Sequence, residues 1–308
     1  MKASAPPPRA VGKLSAPAPR VLVIYKKSAF QLYVRERRSP RVVALLRKKH
    51  ITVARLRAAH DDHVGTLAAA KDVLRALGTR AVFRYRAEVG AAHEFDLVVT
   101  LGGDGTLLWA SHSVGADVPI VAINTAPTDS VGFFCAGTKD NLADVLADAV
   151  AGRTRASRLA RMRVDVDGKR VANRVLNDAL FCNVCPAATS RYLIAYRGLE
   201  EEQKSSGVWI GPAAGSTAAQ RSAGGRVLAV ASQRLQYVVR EPYKPNGERY
   251  QHVRGLVAPG ESFGLINKMR SGRLYLDGPH DAHPVEMGSL LSFTRSDEPL
   301  TLLGLRRH

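Results

Sequence analysis

Residues 102 to 106 read Gly102-Gly103-Asp104-Gly105-Thr106, between the apolar run Leu97 to Leu101 and a second apolar pattern. A strand, a glycine turn and a helix start together present free N–H groups and the positive end of a helix dipole, an arrangement that holds phosphate. A carboxylate in the middle of such a turn would repel a phosphate laid directly against it. Asp104 therefore suits chemistry beside the phosphates: holding a divalent metal ion such as Mg²⁺, or accepting a proton from an attacking hydroxyl. The architectural alternative is an aspartate that caps a helix in a tight turn. Two familiar phosphate loops are excluded. There is no Gly-Lys-Ser/Thr, and Leu108 stands where the third glycine of G-x-G-x-x-G belongs.

Further candidate groups lie downstream. Asn177 offers a donor and acceptors, and Asp178 offers acceptors only, which suits ribose hydroxyls or an amide. Polar turn residues at a strand end are the plainer reading. Gly215, Ser216, Thr217, Gly224 and Gly225 would let a ligand approach the backbone, and Ser216, Thr217 and Ser222 add small hydroxyls. Lys26 and Lys27 follow the first strand, at the edge where doubly wound sheets bind ligands, so a phosphate contact competes with an ordinary exposed pair. Cys182-Asn183-Val184-Cys185 is a lone C-x-x-C without a second pair, so no structural zinc is expected. In His60-Asp61-Asp62-His63 the acids read as the first turn of a helix rather than metal ligands.

The elements that must position these groups change character midway. Val21 to Tyr25 reads as a buried strand. A helical stretch over 31–48 is interrupted at Pro40, and Asp61 to Leu77 is an amphipathic helix ended by Gly78. Strands at 80–85, 95–101 and 118–123 then alternate with helices at 105–114 and, capped by Thr138, up to Gly152. That alternation predicts a doubly wound α/β domain with a parallel sheet. From Arg153 onward short strands dominate. A hairpin over 164–171 turns at Asp167-Gly168, and strands follow near 173–183, 190–196, 207–211, 235–240, 263–268, 273–277 and 289–293, with one helix near 216–224. The expected division is a basic, Pro-rich disordered tail over 1–19, an α/β domain over 20–152 and a mostly-β domain over 153–308.

Composition narrows the classes. The 308 residues carry 45% apolar residues, enough for a sizeable core, and a net charge of +18. Most of the basic residues are arginines scattered along the chain, as expected for a solvated basic surface that favours anionic substrates. No recognition motif points to nucleic acid, and the aromatics are not interleaved with basic residues. Three cysteines make no disulfide framework. No apolar run approaches the roughly 18 residues that span a bilayer. A cytoplasmic protein without a membrane partner is the expectation.

Gly102-Gly103-Asp104-Gly105-Thr106 resembles the signature that NAD kinases share with diacylglycerol and sphingosine kinases and 6-phosphofructokinases. Three other segments resemble NAD kinases specifically: "NTAPTDSVGFFC" (124–135), "NRVLNDALF" with its Asn-Asp pair, and "SSGVWIGPAAGSTAAQRSAGG" (205–225). Together they cover roughly residues 20 to 300 in the expected order. Three positions depart from the common family pattern: Ser206 where an Asp is usual, Ala219 where a Tyr is usual, and Pro212-Ala213-Ala214 in place of Thr-Pro-Thr. These departures, with "YKKSAF", "LQYVVREPY" and "LYLDGPH", resemble the NADH-preferring branch known from plants.

The resemblance implies ATP-dependent phosphorylation of the adenosine-ribose 2′-hydroxyl of NAD⁺ or NADH. Gly102, Gly103, Gly105, Thr106 and Lys26 would receive ATP phosphates. Asp104 would activate the hydroxyl, as a base or by holding Mg²⁺. Asn177, Asp178, Ser206, Gly215, Ser216, Thr217, Ala218 and Ser222 would hold the dinucleotide. A homo-oligomer, dimer or tetramer, is also implied. A lipid kinase sharing the glycine turn, a basic nucleic-acid-binding protein and an NADP(H) sensor without activity are the alternatives.

Overall fold

In the computed structural model, which describes residues 18–128, 130–244 and 249–305, the chain divides into two units. The predicted tail falls almost wholly outside the described residues. The first unit runs to Ser157 and takes in the chain again from Thr301; the second is Arg158–Leu300. The expectation assigned everything after Arg153 to one β domain, but the last strand returns to the first sheet.

The N-terminal sheet contains β1 (Arg20–Tyr25), β2 (Arg80–Tyr85), β3 (Leu97–Gly102), β4 (Ile120–Asn124), the short β5 (Gly137–Thr138), β6 (Ala156–Leu159) and the final β19 (Leu300–Leu303). Its order is β2-β1-β3-β4-β19-β6, with β5 beside β4. The β1–β2, β1–β3, β3–β4 and β4–β19 pairs are parallel, with Val23 opposite Val99, Leu101 opposite Ile123 and Leu302 opposite Ile120. All residues of β3 and β4 are buried. That explains their unbroken apolar sequences, because central parallel strands are covered on both faces.

The helices follow their sequence signals with one shift. Pro40 opens α1 (Pro40–Arg47), with Ser39 as cap, after a π-helical turn at Gln31–Glu36. The long helix α2 (Leu56–Ala76) begins five residues earlier than expected. Asp61 and Asp62 therefore lie in its second turn, and the first turn contains no acid. Helix α3 (Asp104–Ser111) starts directly at the glycine turn. Thr138 forms a capping box with Asn141 that leads into α4 (Leu142–Val150).

The second unit has two six-stranded sheets. One is ordered β11-β10-β15-β18-β7-β8, from β7 (Met162–Val166), β8 (Lys169–Val175), β10 (Ser190–Tyr196), β11 (Leu199–Ser205), β15 (Phe263–Asn267) and β18 (Leu290–Arg295). The other is ordered β14-β13-β12-β9-β16-β17, from β9 (Ala179–Asn183), β12 (Val208–Pro212), β13 (Leu235–Val239), β14 (Arg254–Val257), β16 (Gly272–Leu276) and β17 (Asp281–Val285). One contiguous core draws on both, with Phe181, Tyr192, Phe263 and Phe293 fully buried. The strand expected over 173–183 is two strands, broken at residues 176–178. The helix expected near 216–224 is a short α5 (Ala219–Ser222) behind a 3-10 turn, Ala213–Thr217. Among the described residues no helix is long and apolar enough to cross a membrane.

Candidate active site

In the N-terminal unit the glycine turn joins the buried end of β3 to α3. Gly103 is the N-cap in extended geometry, and Asp104 is the first helical residue. The Asp104 carboxylate is clasped from the segment after β4. The Phe133 N–H donates to its Oδ2 and the Phe134 N–H to its Oδ1, each at 2.9 Å. This fixes the carboxylate while leaving each oxygen a further lone pair.

The three glycines of the turn do different work. A side chain at Gly102 would collide with the Thr106 side chain, and one at Gly103 with Ser130 Oγ. At Gly105 nothing lies within 4 Å of where a Cβ would be. The open face of the turn is therefore at Gly105, next to Asp104. Among the described residues the N–H groups of Asp104 and Gly105 have no acceptor, as expected at a helix start. Thr106, predicted as a phosphate contact, is buried against Gly102, and its N–H donates to the Gly103 carbonyl at 2.9 Å. Its hydroxyl packs against Gly102 inside the turn.

A buried relay sets the turn against its neighbours. His63 Nε2 lies 2.7 Å from the Lys26 carbonyl oxygen, and its Nδ1 lies 2.9 Å from Thr125 Oγ1. A carbonyl accepts only, so Nε2 carries the proton and Nδ1 accepts from the hydroxyl. Burial pushes the His63 pKa down to about 4, consistent with this neutral ring. The Thr125 N–H then donates to the Gly102 carbonyl at 3.0 Å. His60 is likewise buried, with Nδ1 2.7 Å from Ser28 Oγ. No group of three or more His, Cys, Asp or Glu among the described residues is placed to hold a metal. Through these hydrogen bonds the two histidines are part of the scaffold of this unit, a role the sequence pattern did not reveal. Lys26 joins this assembly through its backbone, whereas Lys27 pairs with Glu36 at 3.0 Å.

In the C-terminal unit Asn177 and Asp178 occupy the break between β8 and β9. Asp277 fastens them: its Oδ2 accepts the Leu176 N–H at 2.8 Å, and its Oδ1 accepts those of Asn177 and Asp178 at 2.7 and 3.0 Å. Asp277 has a positive φ of 48° in the turn after β16, which aims its carboxylate at this backbone. The Asn177 amide donates to Asp178 Oδ2 at 2.9 Å. Asp178 is 5% exposed, and burial, with the Asp277 charge added, raises its pKa to about 7. The one sequence signal for this clamp is the Asp-Gly dipeptide, Asp277-Gly278, inside "LYLDGPH".

The glycine-rich segment packs on the same pair. A Cβ on Gly215 would run into the Asn177 backbone, and one on Gly211 would meet the Asn177 carbonyl and Asp178 Cα. Gly215 is therefore required by the Asn177 backbone packed against it. Ser216 is fully buried, donates to the Ala213 carbonyl at 2.6 Å and accepts the Leu228 N–H at 3.0 Å. Thr217 is half-buried, while Ala218 and Ser222 are exposed. Ser206 donates its hydroxyl to Glu241. Cys182 and Cys185 are free thiols, half-buried and exposed respectively.

Comparison with known proteins bears on this geometry. A family profile for the ATP-NAD kinase N-terminal domain matches residues 21–154. A probable NADH kinase of Oryza sativa subsp. japonica is 34% identical over 229 residues, covering 68% of this chain and 70% of the rice protein. An NADH kinase of Arabidopsis thaliana is 33% identical over 229 residues, covering 67% and 72%. The crystal structure of an NAD kinase from Archaeoglobus fulgidus in complex with ATP superposes with a TM-score of 0.67 at 18% identity, covering 93% of this chain and 94% of that one. Yeast NADH kinase complexed with NADH gives 0.63 at 15% identity, covering 94% and 84%. The two superpositions speak to fold alone, whereas the rice match extends over two thirds of both chains. With that match, and with the profile seated on the unit that carries the glycine turn, the chain belongs to the NAD kinase family.

Proposed function

We propose that the protein is an NAD(H) kinase that moves the γ-phosphoryl group of ATP to the adenosine-ribose 2′-hydroxyl of NAD⁺ or NADH. The observation that carries this reading is Asp104, fixed by two backbone donors beside the open, N–H-lined face at Gly105. The hydroxyl oxygen attacks the γ-phosphorus, the bond to the β–γ bridging oxygen breaks, and ADP leaves. Asp104 accepts the hydroxyl proton, and it is also the residue that would hold a divalent metal. Phosphoryl transfer needs positioning and charge neutralisation more than covalent help from the protein. The N–H groups at the start of α3 and nearby basic residues meet that need. On the dinucleotide side, Asn177, Asp178, Ser206, Gly215, Ser216, Thr217, Ala218 and Ser222 hold the dinucleotide, with Asp277 fastening the backbone of the Asn177-Asp178 pair.

The donor set fits Mg²⁺ in one way. With a single carboxylate at the turn and no cage of acidic or histidine ligands among the described residues, the ion would be held largely by phosphate oxygens, with Asp104 as its protein ligand. When bound it neutralises phosphate charge.

The plant relatives support acceptance of NADH, and the same relatives weigh against a lipid kinase or a nucleic-acid binder. A homo-oligomer and a cytoplasmic site of action complete the reading, tested by light scattering and cell fractionation. The central test is ATP-dependent NADP(H) formation, with NAD⁺ and NADH in parallel, for wild type and Asp104→Asn. Product from wild type that falls by orders of magnitude in the variant supports the reading. Absence of product from both dinucleotides, with folded protein and Mg²⁺, overturns it. NAD⁺ proving much the better substrate would remove the NADH preference alone.

A further inference from the structure

Within the C-terminal unit, Arg197, Arg226, Arg234 and Arg254 line one cavity of about 390 Å³, with Gln236 in its wall. The antiparallel register of β13 and β14 puts Gln236 opposite Leu256 and Val238 opposite Arg254, on the face turned away from the core residues Leu235, Tyr237 and Val257. Only Arg197 of the four has a carboxylate partner among the described residues: it meets Glu261 through Nε and Nη2 at 3.0 and 2.9 Å. Arg226, Arg234 and Arg254 form no ion pair there. Two are held in place without being neutralised. Arg254 Nη1 donates to the Gly224 carbonyl at 3.0 Å, and the Arg226 backbone exchanges two hydrogen bonds with the Gln236 amide, at 2.8 and 3.1 Å.

Guanidinium groups gathered around one hollow repel each other unless an anion sits among them. Their planar forks match phosphate oxygens bidentately. The volume exceeds what one phosphate group fills and lies within the range of ordinary small-molecule sites. We infer that this cavity is a second anion site, separate from the glycine turn, and that it takes a small ligand carrying two or more linked phosphate groups. A path to the dinucleotide pair accompanies it. Gln236, 3% exposed, donates to Gln220 Oε1 at 3.0 Å; Gln220, fully buried, donates to the Asn177 carbonyl at 3.4 Å. Two buried amides thus connect the cavity wall to the Asn177 backbone, so an anion that orders Arg226 and Gln236 also biases Asn177. This second half rests on the kinase reading; the binding half does not.

The probe is inorganic tripolyphosphate, titrated calorimetrically into the full-length protein at constant ionic strength, with orthophosphate as control. Because the glycine turn also attracts phosphate, the comparison is wild type against Arg226→Gln/Arg234→Gln, with Arg234→Glu as a second variant. The expected result is loss of one binding event and of most of the tripolyphosphate-induced rise in Tm, with affinity at that site at least about tenfold weaker. The unliganded Tm should stay level or rise, since repulsion has been relieved. Tripolyphosphate binding equal to wild type in both variants overturns the site, as does orthophosphate acting equally well at matched charge. The coupling is read as a change in KM for the dinucleotide when tripolyphosphate is added, present in wild type and lost in the double variant. Binding without that change overturns the path through Gln220 and leaves the site.

Discussion

Asp104 holds the backbone of Phe133 and Phe134 with the same carboxylate that the proposed reaction uses, both bonds being 2.9 Å. One side chain therefore couples the start of α3 to the segment after β4. An asparagine offers one acceptor oxygen and turns a donor towards the other N–H. Asp104→Asn is expected to lose about 1–3 kcal/mol of stability, from one buried N–H left unmatched. It should also lose at least about 100-fold in turnover, the usual range for removing a proton-transfer group. Denaturant unfolding and initial rates on the same preparation check both; an asparagine variant as stable as wild type would contradict the dual role.

Glycines with open and occupied Cβ positions predict opposite outcomes. Gly105→Ala meets nothing within 4 Å and replaces glycine in a helix, so stability should hold or rise by roughly 0.5–1 kcal/mol. ATP binding should weaken, because the methyl group occupies the open face. Gly215→Ala drives a methyl into the Asn177 backbone and should cost about 3 kcal/mol or more. Thermal unfolding with and without ATP separates the two.

Asp178 gives the protein an uncommon pH response. With a folded pKa of about 7 against 3.8 for the free side chain, the folded chain keeps a proton that the unfolded chain has lost. Its contribution to stability is full below about pH 4 and declines as pH rises towards 7. Asp178→Asn keeps an acceptor for Asn177 and removes the titration. Relative to wild type, the variant should gain about 2 kcal/mol between pH 5 and pH 7.5, measured by denaturant midpoints. A flat difference would mean that the carboxyl is ionised throughout.

His63 works in the other direction. Its folded pKa of about 4 lies below the usual 6.5, so its contribution is full above pH 6.5 and is lost as pH falls towards 4. His63→Phe removes the titration and strands the Lys26 carbonyl and the Thr125 hydroxyl. The variant should be less stable at pH 7.5 by about 2 kcal/mol. By pH 5 most of that gap should have closed, because wild type has by then lost its own advantage.

In the proposed kinase the Asp277 clamp would act on dinucleotide geometry through the backbone of residues 176–178. Asp277→Ala removes three acceptor contacts and should cost about 2 kcal/mol or more. In kinetics, KM for the dinucleotide should rise while KM for ATP stays within about twofold, since the three bonds run to the backbone of Leu176, Asn177 and Asp178. Equal rises in both constants would point to general loosening instead.

The hydrophobic periods and turn residues alone determined the strand–turn–helix around Asp104, most strands of both units and the Asp167-Gly168 hairpin, because these signals are written within a few neighbouring residues. The pair Asn177-Asp178 was legible as polar groups at a strand end. Tertiary structure alone decided three matters. Strand β11, Leu-Glu-Glu-Glu-Gln-Lys-Ser, carries almost no apolar pattern, yet it is a strand because β10 supplies its partner across the Arg197-Gly198 turn. Strand β19 pairs Leu302 with Ile120 across most of the chain, a contact no local pattern encodes. Asp277 reaches residues about a hundred positions earlier, and His63 reaches Thr125. A side chain's polarity is fixed by its type, but its partner is fixed by packing. So residue types identified Asp104 as a chemical group, while only the fold showed which donors hold it and that Gly215 packs on the Asn177 backbone.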